Sequence, residues 1–317
     1  MSSDVVLVTS RSFGSGDADP AAALRDAGFQ VVPGDPAHDP AALAGSLADA
    51  VGWIAGTGPI GAAQLDLAPR LRVIARFGTG TDAVDVATAE ARGIAVARTP
   101  GANAASVADF AVALMLAALR QLVAGDRQVR DGDWSLPTRG RELGALTVGI
   151  VGLGAVGRGV ARRVRGGFGS RVLAHDPYVD AADGVELTDL DALVAASDVV
   201  TLHLPGGARL VDAALLSRFK PGAVLVNTAR GSLLDEAAVA RALADGRLGA
   251  AAVDVLAAEP AASSPLLAAP NAIVTPHVAA QTVEAVDRMG VESAAEVLRV
   301  LAGEAPANPV HVQEISR

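Results

Sequence analysis

Apolar residues recur in two patterns along the chain. Short runs rich in Val, Ile, Leu and Ala alternate with longer Ala-rich segments spaced like helices. In the first hundred residues, the runs at 5–8, 29–32, 51–55, 71–75 and 94–97 predict strands. Segments near 20–27, 40–50, 61–68 and 83–92 predict the helices between them, and Gly28, Gly34 and Gly93 punctuate their ends. Pro100-Gly101 breaks the rhythm, and one long helix is expected from 103 to about 123. A polar stretch with Trp134 and Pro137 follows. Alternation then resumes, with strands expected at 146–151, 171–174, 199–203, 223–227, 250–254 and 272–275. Helices are expected from about 155, at 189–196, 209–218 and 235–244, and finally at 282–301. Strands this short, apolar on both faces and separated by helices, argue for parallel sheets covered on both sides. Six strands in the second half match the count of a double mononucleotide-binding fold.

The strand at 146–151 runs directly into Gly152, Gly154 and Gly157, spaced G-x-G-x-x-G, and a helix opens at Ala155. A second strand follows and ends at Asp176, about twenty residues past the last glycine. Each glycine has a task in a dinucleotide site. Gly152 permits a tight turn, Gly154 lets backbone approach a pyrophosphate, and Gly157 lets the helix pack close to its strand. Free N–H groups at the helix start, around Ala155 and Val156, would hold phosphate charge. Asp176 would accept hydrogen bonds from the adenosine ribose hydroxyls, favouring NAD over NADP. A lone glycine motif is weak. Strand, turn, helix, second strand and acid in order make it specific.

Composition narrows the classes. Of 317 residues 51% are apolar, ample for sizeable cores, and the length suits two ordinary domains. Net charge is −9 with a pI near 5.0, which argues against a nucleic-acid partner. With no cysteine, disulfides, thiol catalysis and Cys-ligated zinc are excluded. The five histidines are scattered, and no protein-bound metal is expected. The opening MSSDVVLVTS lacks a basic leader, and the apolar run 110–119 is too short to span a bilayer. A cytoplasmic protein with no membrane partner is the simplest expectation.

Ligands of open parallel sheets bind beyond the carboxyl ends of the strands. Three such ends carry chemistry here. NTARGSLLDE places Arg230 after one strand, VLAAEP places Glu259 after the next, and TPHVAA places His277 after the last. Hydride transfer to a keto acid needs these types. A guanidinium offers a two-pronged donor to a carboxylate. The carbonyl oxygen gains charge and needs a proton donor near neutral pH, which suits His. A neighbouring Glu stabilises imidazolium and orients the ring. Reduction would use protonated His277, and oxidation the neutral form. Singly, the more common readings are a surface Arg, a solvated turn Glu and a loop-capping His; their joint placement at strand ends raises the catalytic reading.

The motifs ARFGTGTDAVD, RGIAVARTPGANAASVAD, GIVGLGAVGR, HDP, VNTARGSLLDE, AAVDVLAAEP and TPHVAA appear in one order over nearly the whole chain. In this the sequence resembles the D-isomer-specific 2-hydroxyacid dehydrogenases, a group that includes phosphoglycerate dehydrogenase, hydroxypyruvate reductase and D-lactate dehydrogenase. The resemblance implies a flavodoxin-like substrate-binding domain, split between 1–100 and 283–317, around a Rossmann NAD-binding domain at 101–282. It implies that Arg230 binds the substrate carboxylate, that His277 is the acid/base and that Glu259 is its partner. Backbone N–H groups near Thr79 and Gly80 would cradle the carboxylate, with Arg76 and Asn103 completing the substrate set. Asp254 would hold the nicotinamide carboxamide, and Thr228 and Ala229 would line that pocket. Members are commonly homodimers built through their nucleotide domains.

Substrates such as D-3-phosphoglycerate or hydroxypyruvate follow from the resemblance. The first-domain loop AGTGPI lacks the Arg and Lys that phosphate-binding relatives often place there, which weighs against phosphoglycerate. The loop after His203 reads LPGGARLVD, without the Thr-Pro-x-Thr segment many relatives carry. Two further readings stay open: an NAD(H)-sensing binding protein like the corepressors of this fold, and oxidation of an inorganic acid such as phosphonate at the same site.

Overall fold

The structure, a computed structural model, describes residues 4–135 and 139–312; Pro137 lies outside them. The chain divides into two compact units, Met1–Asn103 with Ala280–Arg317, and Ala104–Ala279. The divisions fall where the helix beginning at Ala104 starts and just past the 275–279 loop, rather than at residues 100 and 282.

The first unit holds β1 (Val5–Val8), α1 (Pro20–Asp26), β2 (Gln30–Pro33), α2 (Pro40–Asp49), β3 (Ala50–Ala55), α3 (Ala62–Leu65), β4 (Val73–Arg76), α4 (Val86–Ala91) and β5 (Ala95–Ala97). Its five strands are parallel in the order β2-β1-β3-β4-β5, the flavodoxin-like order, with the switch point between β1 and β3. Local sequence starts the helices. Asp19, Asp39 and Asp85 each accept a backbone N–H of the first turn, and Pro20 and Pro40 fill first positions where no donor is needed.

The second unit holds α5 (Ala104–Leu119), α6 (Leu122–Arg130), β6 (Thr147–Val151), α7 (Ala155–Phe168), β7 (Arg171–His175), β8 (Glu186–Leu187), α8 (Leu190–Ala196), β9 (Val199–Leu202), α9 (Ala213–Leu216), β10 (Ala223–Asn227), α10 (Glu236–Ala244), β11 (Leu248–Val253) and β12 (Ala272–Val274). Its sheet is parallel, in the order β12-β11-β10-β9-β6-β7-β8. Apolar residues cover both faces, with α5 and α7 on one side and α8, α9 and α10 on the other. Gly159 of α7 meets Ala108 of α5 so closely that an added Cβ would lie 2.9 Å from the alanine's. The last helix, α11 (Val283–Leu301), returns to the first unit, where Ala294, Val297 and Val300 pack on the sheet face made by Val6, Val8, Ile54 and Val73.

Three expectations are corrected. The nucleotide sheet has seven strands, not six. The extra one, β8, has only two residues, one of them charged, and leaves no apolar run to read. The long helix of 103–123 stops at Leu119, and α6 leaves at 58°. Gln121 adopts φ 52°, and beyond it Leu122, Val123 and Val129 are exposed, so no core holds the first axis. The helix of 209–218 shrinks to Ala213–Leu216. Leu210 and Val211 are instead extended, with both their amides donating to Leu233 O, and Asp212 caps the turn that follows.

Candidate active site

In the second unit β6 lies between β7 and β9, so the chain changes direction at β6/β9. The glycine loop crosses the carboxyl end at that point. Gly152 has φ +92°, and a Cβ there would lie 2.5 Å from the carbonyl oxygen of His203, the first residue past β9. A Cβ on Gly157 would lie 2.1 Å from Gly152 O. Gly154, by contrast, faces open space, and Ala155 and Val156 follow as the first residues of α7. The loop thus has two glycines fixed by crowding and one by the need for an approaching ligand, which fits a dinucleotide pyrophosphate. Asp176 immediately follows β7 and is partly exposed. One carboxylate oxygen accepts Leu153 N–H at 2.7 Å and the other Tyr178 N–H at 2.9 Å. Its carboxylate therefore both faces the cofactor side and ties down the glycine loop.

Three further loops at the same sheet edge are stitched together. At the end of β10, Asn227 staples the turn that follows: its side chain donates to Arg230 O at 2.8 Å and accepts Ala229 N–H at 3.0 Å. Arg230 Nη1 donates to Ala229 O at 2.8 Å, so the guanidinium folds onto its own turn. A Cβ on Gly231 would lie 2.0 Å from the Leu256 carbonyl carbon, which brings that turn hard against the loop past β11. There Leu256 N–H donates to Glu259 Oε1 at 3.0 Å. Glu236, in the first turn of α10, holds the same loop through Ala257 N–H and the Ser264 hydroxyl. Thr228 and Ala229 are buried, and the Thr228 hydroxyl has no partner among the described residues, as expected of a pocket wall that meets a polar ligand.

Past β12, His277 takes φ 56° and its N–H donates to the Asp254 carbonyl at 2.9 Å. Its Nδ1 lies 2.8 Å from Glu259 Oε2. Nε2 has no hydrogen-bond partner among the described residues. The hydrogen bond to Glu259 holds the imidazole pKa above its ordinary value, against burial and the Arg230 charge, which lower it. Burial pushes the Glu259 carboxyl up, but the His277 and Leu256 hydrogen bonds and the nearby cations outweigh it, and its pKa is lowered. The two shifts agree on an ion pair. Asp254 is 1% exposed and clasps the His277 loop. Oδ1 accepts the Thr275 hydroxyl at 2.6 Å and Val278 N–H at 2.9 Å, and Oδ2 accepts Ala279 N–H at 2.8 Å.

Arg230, Glu259 and His277 are therefore brought together in one unit with the glycine loop, Asp176, Thr228, Ala229 and Asp254. Arg76, Thr79, Gly80 and Asn103 belong to the first unit. Arg76 is 5% exposed. Its Nε donates to Gly80 O at 3.0 Å and its Nη1 to Ala55 O at 2.9 Å, so it ties the loop after β4 to the end of β3. The Thr79 hydroxyl donates to Thr99 O at 3.2 Å. Asn103, half-buried, immediately precedes α5. Sequence reading missed Asn227, Thr275, Glu236 and His203. The first two stand inside motifs already singled out, NTARG and TPH. Burial pushes His203 down to about 3, and its Nδ1 has no partner among the described residues.

A family model described as D-isomer specific 2-hydroxyacid dehydrogenase, NAD binding domain, matches residues 112–279. The chain is 44% identical over 261 residues to a D-3-phosphoglycerate dehydrogenase of Mycobacterium tuberculosis, a match covering 80% of this chain and 49% of that protein. It is 38% identical over 272 residues to a glyoxylate reductase of Korarchaeum cryptofilum, covering 82% and 81%. Among solved structures, the TT0316 protein of Thermus thermophilus superposes with a TM-score of 0.88 at 37% identity, over 96% of this chain and 99% of that one. The chain spans about half the length of the phosphoglycerate dehydrogenases it matches.

Proposed function

The chain belongs to the D-isomer specific 2-hydroxyacid dehydrogenase family, and from that premise we propose that it is an NAD-dependent oxidoreductase interconverting a small 2-hydroxy acid and its 2-keto acid. The observation that carries the reading is the Glu259–His277 pair at 2.8 Å, on loops packed against the Arg230 turn. The Gly152–Gly157 loop and Asp176 would hold NAD, which when bound would supply or accept the hydride exchanged at the substrate's C2. The fork of Arg230, steadied by its bond to Ala229 O, meets the substrate carboxylate. As the carbonyl oxygen gains charge, His277 Nε2–H donates its proton. Glu259 keeps the ring protonated before that step and fixes Nδ1 as the inward-turned nitrogen. In oxidation the neutral ring takes the hydroxyl proton back. Asp254 and Asn227 hold the loops that carry these groups. Assembly of two copies through the nucleotide units belongs to the same reading. It is supported by the exposed apolar side chains of α6, and sedimentation would test it.

NADH oxidation against a panel of 2-keto acids tests the reading, with hydroxypyruvate, glyoxylate, pyruvate, phosphohydroxypyruvate and branched-chain acids included. Saturable turnover of at least one is expected. His277→Ala should lower its kcat by about 10²–10⁴-fold, with NADH affinity unchanged. Turnover by His277→Ala near wild type rejects the mechanism. No turnover across the panel, with NADH still bound, favours the sensor reading.

A further inference from the structure

The last residue of the NTARGSLLDE motif has no part in the chemistry above, yet it reaches the loop that carries Glu259. That loop leaves the sheet after Asp254 and closes at Ser264, which caps the single turn Pro265–Leu267 by accepting Leu266 N–H at 3.3 Å. From Ala257 to Ser263 no side chain is buried, so apolar packing does not set its course. Leu256 N–H goes to Glu259 itself, a bond that shapes the loop without tying it to anything outside. Glu236 supplies the outside anchor. Its Oε1 accepts Ala257 N–H at 2.7 Å, where the loop starts, and its Oε2 accepts the Ser264 hydroxyl at 2.6 Å, where it ends. One carboxylate thus grips both ends of the segment on which Glu259 stands.

The anchor itself is rigid. Glu236 opens α10, whose Ala238, Val239, Ala242 and Leu243 are buried in the core. Asp235, just before it, caps the helix through Ala238 N–H at 3.0 Å and donates its own amide to Val211 O at 2.8 Å. On the Arg230 side, a Cβ on Gly231 would strike the Leu256 carbonyl carbon and Ala257 N, so that turn backs the same end of the loop. Glu259 lacks such support. Its side chain is 39% exposed, so its reach to His277 Nδ1 depends on where the loop puts its backbone. The charges that act most on His277 are those of Glu259, Asp254 and Arg230. Glu236 is not among them, which leaves the loop as its route to the ring.

We propose that Glu236 is a positioning residue for the acid/base pair: by holding Ala257 and Ser264 it keeps Glu259 within hydrogen-bond reach of His277. This rests on the dehydrogenase reading above and adds to it a residue that acts through Glu259. Hydrogen bonds to an ionised acceptor are about twice as strong as neutral ones, so two of them on one carboxylate can order an exposed loop. Freed of Glu236, the loop samples positions in which Glu259 no longer meets Nδ1. Burial, which lowers the His277 pKa, then goes less opposed, and less of the ring is protonated for reduction.

The test titrates His277 by NMR, with ring-labelled histidine, in wild type, Glu236→Ala and Glu236→Gln, and follows kcat/KM for reduction against pH in parallel. His38 and His203, which burial pushes down to about 4 and about 3, stay out of the neutral range, and His277→Gln assigns the signal. Glu236→Ala should lower the His277 pKa, move the falling limb of the pH profile to lower pH and cut kcat at neutral pH about tenfold. Glu236→Gln can still accept Ala257 N–H and donate to Ser264 Oγ, and should restore most of both. Added to Glu259→Gln, Glu236→Ala should cost less than about twofold more. An unmoved His277 titration in Glu236→Ala overturns the proposal, whatever happens to kcat. So does a Glu236→Gln that behaves like Glu236→Ala, because the charge and not the grip would then be the cause. Unchanged ring signals of His38 and His203, one in each unit, verify that the variants fold. Should Glu236→Ala not fold, Ser264→Ala cuts only the far grip and should give a smaller shift in the same direction; no shift there overturns the proposal equally. The titration needs no turnover. If no keto acid reacts, the dehydrogenase reading fails while the NMR result still decides the role of Glu236.

Discussion

Removing the Asp254 carboxylate should loosen the His277 loop from one side only. In Asp254→Ala, three donors lose their acceptor: the Thr275 hydroxyl and the amides of Val278 and Ala279. Thr275 keeps an alternative, since its hydroxyl also reaches Val253 O at 3.4 Å. Val278 is partly exposed, and water can replace part of its bond. Ala279 is 4% exposed, and its N–H is left orphaned. One to two buried donors at about 1–3 kcal/mol each, with the bonds to a charged acceptor at the upper end, give a loss of about 2–5 kcal/mol. A whole domain has about 5–15 kcal/mol in hand, so the change is large but local. The His277 amide is spared, because it donates to the main-chain carbonyl of residue 254. Hydrogen exchange in the 275–279 segment is the assay. Amides of Val278 and Ala279 should exchange about 30-fold to several thousand-fold faster than in wild type, and that of His277 much less, with a fall in kcat. If NAD affinity collapses while these amides stay protected, Asp254 is a cofactor ligand and not a clasp, and the reasoning is refuted.

Three other outcomes follow from the geometry of the site. In Glu259→Gln, the hydrogen bond that raises the His277 pKa is lost and burial, which lowers it, remains; the fall of kcat/KM for reduction with rising pH should move to lower pH, and an unmoved limb would separate the pair from the chemistry. For stability, the ion pair is fully present from the ordinary Glu value of 4.5 to the ordinary His value of 6.5. It fades as pH rises through the raised His277 pKa or falls through the lowered Glu259 pKa. Both side chains are more than a third exposed, so solvent screens the pair and melting curves should barely register it. Asp176→Ala should weaken NAD binding and narrow the preference for NAD over NADP, read as the ratio of the two Kd values in fluorescence titrations, because it removes both the ribose acceptor and the anchor of Leu153 N–H. An unchanged ratio rejects Asp176 as the reader of the ribose.

What the sequence made legible were the features that physics ties to residue type. Glycines at 152 and 157 stand where a Cβ would strike backbone, and Asp or Thr stands where a helix needs an acceptor. Strand ends placed Arg230, Glu259 and His277 at one sheet edge, because parallel order forces every carboxyl end to one side. Illegible were features set by long-range packing. Nothing local marks Glu186–Leu187 as a strand; pairing with β7 makes it one. Gln121 has no residue-type reason to be left-handed. The resemblance makes Asp254 a nicotinamide ligand; that its carboxylate also accepts three donors of the 275–279 loop is not marked by anything local. The resemblance puts Arg76 in the substrate set; the structure has its side chain donating to Ala55 O and Gly80 O, which no local signal marks.

The return of α11 to the first unit bears on how the chain is made. On the ribosome, the first five strands emerge long before Ala294, Val297 and Val300, so the sheet face shared with Leu24 of α1 lacks much of its cover until α11 has been made. The inserted unit has all its elements earlier and can finish first, as complete domains generally do. The outer edge waits longest. Main-chain groups of Ala97 and Val96 pair with Pro309 and Val310 only after α11 has formed, with Glu296 holding the amides of Ala307 and Asn308. An open strand edge invites pairing with another chain. Nascent chains stalled before this closing segment would therefore be the aggregation-prone species, and overexpression that outpaces chaperones would fail there first.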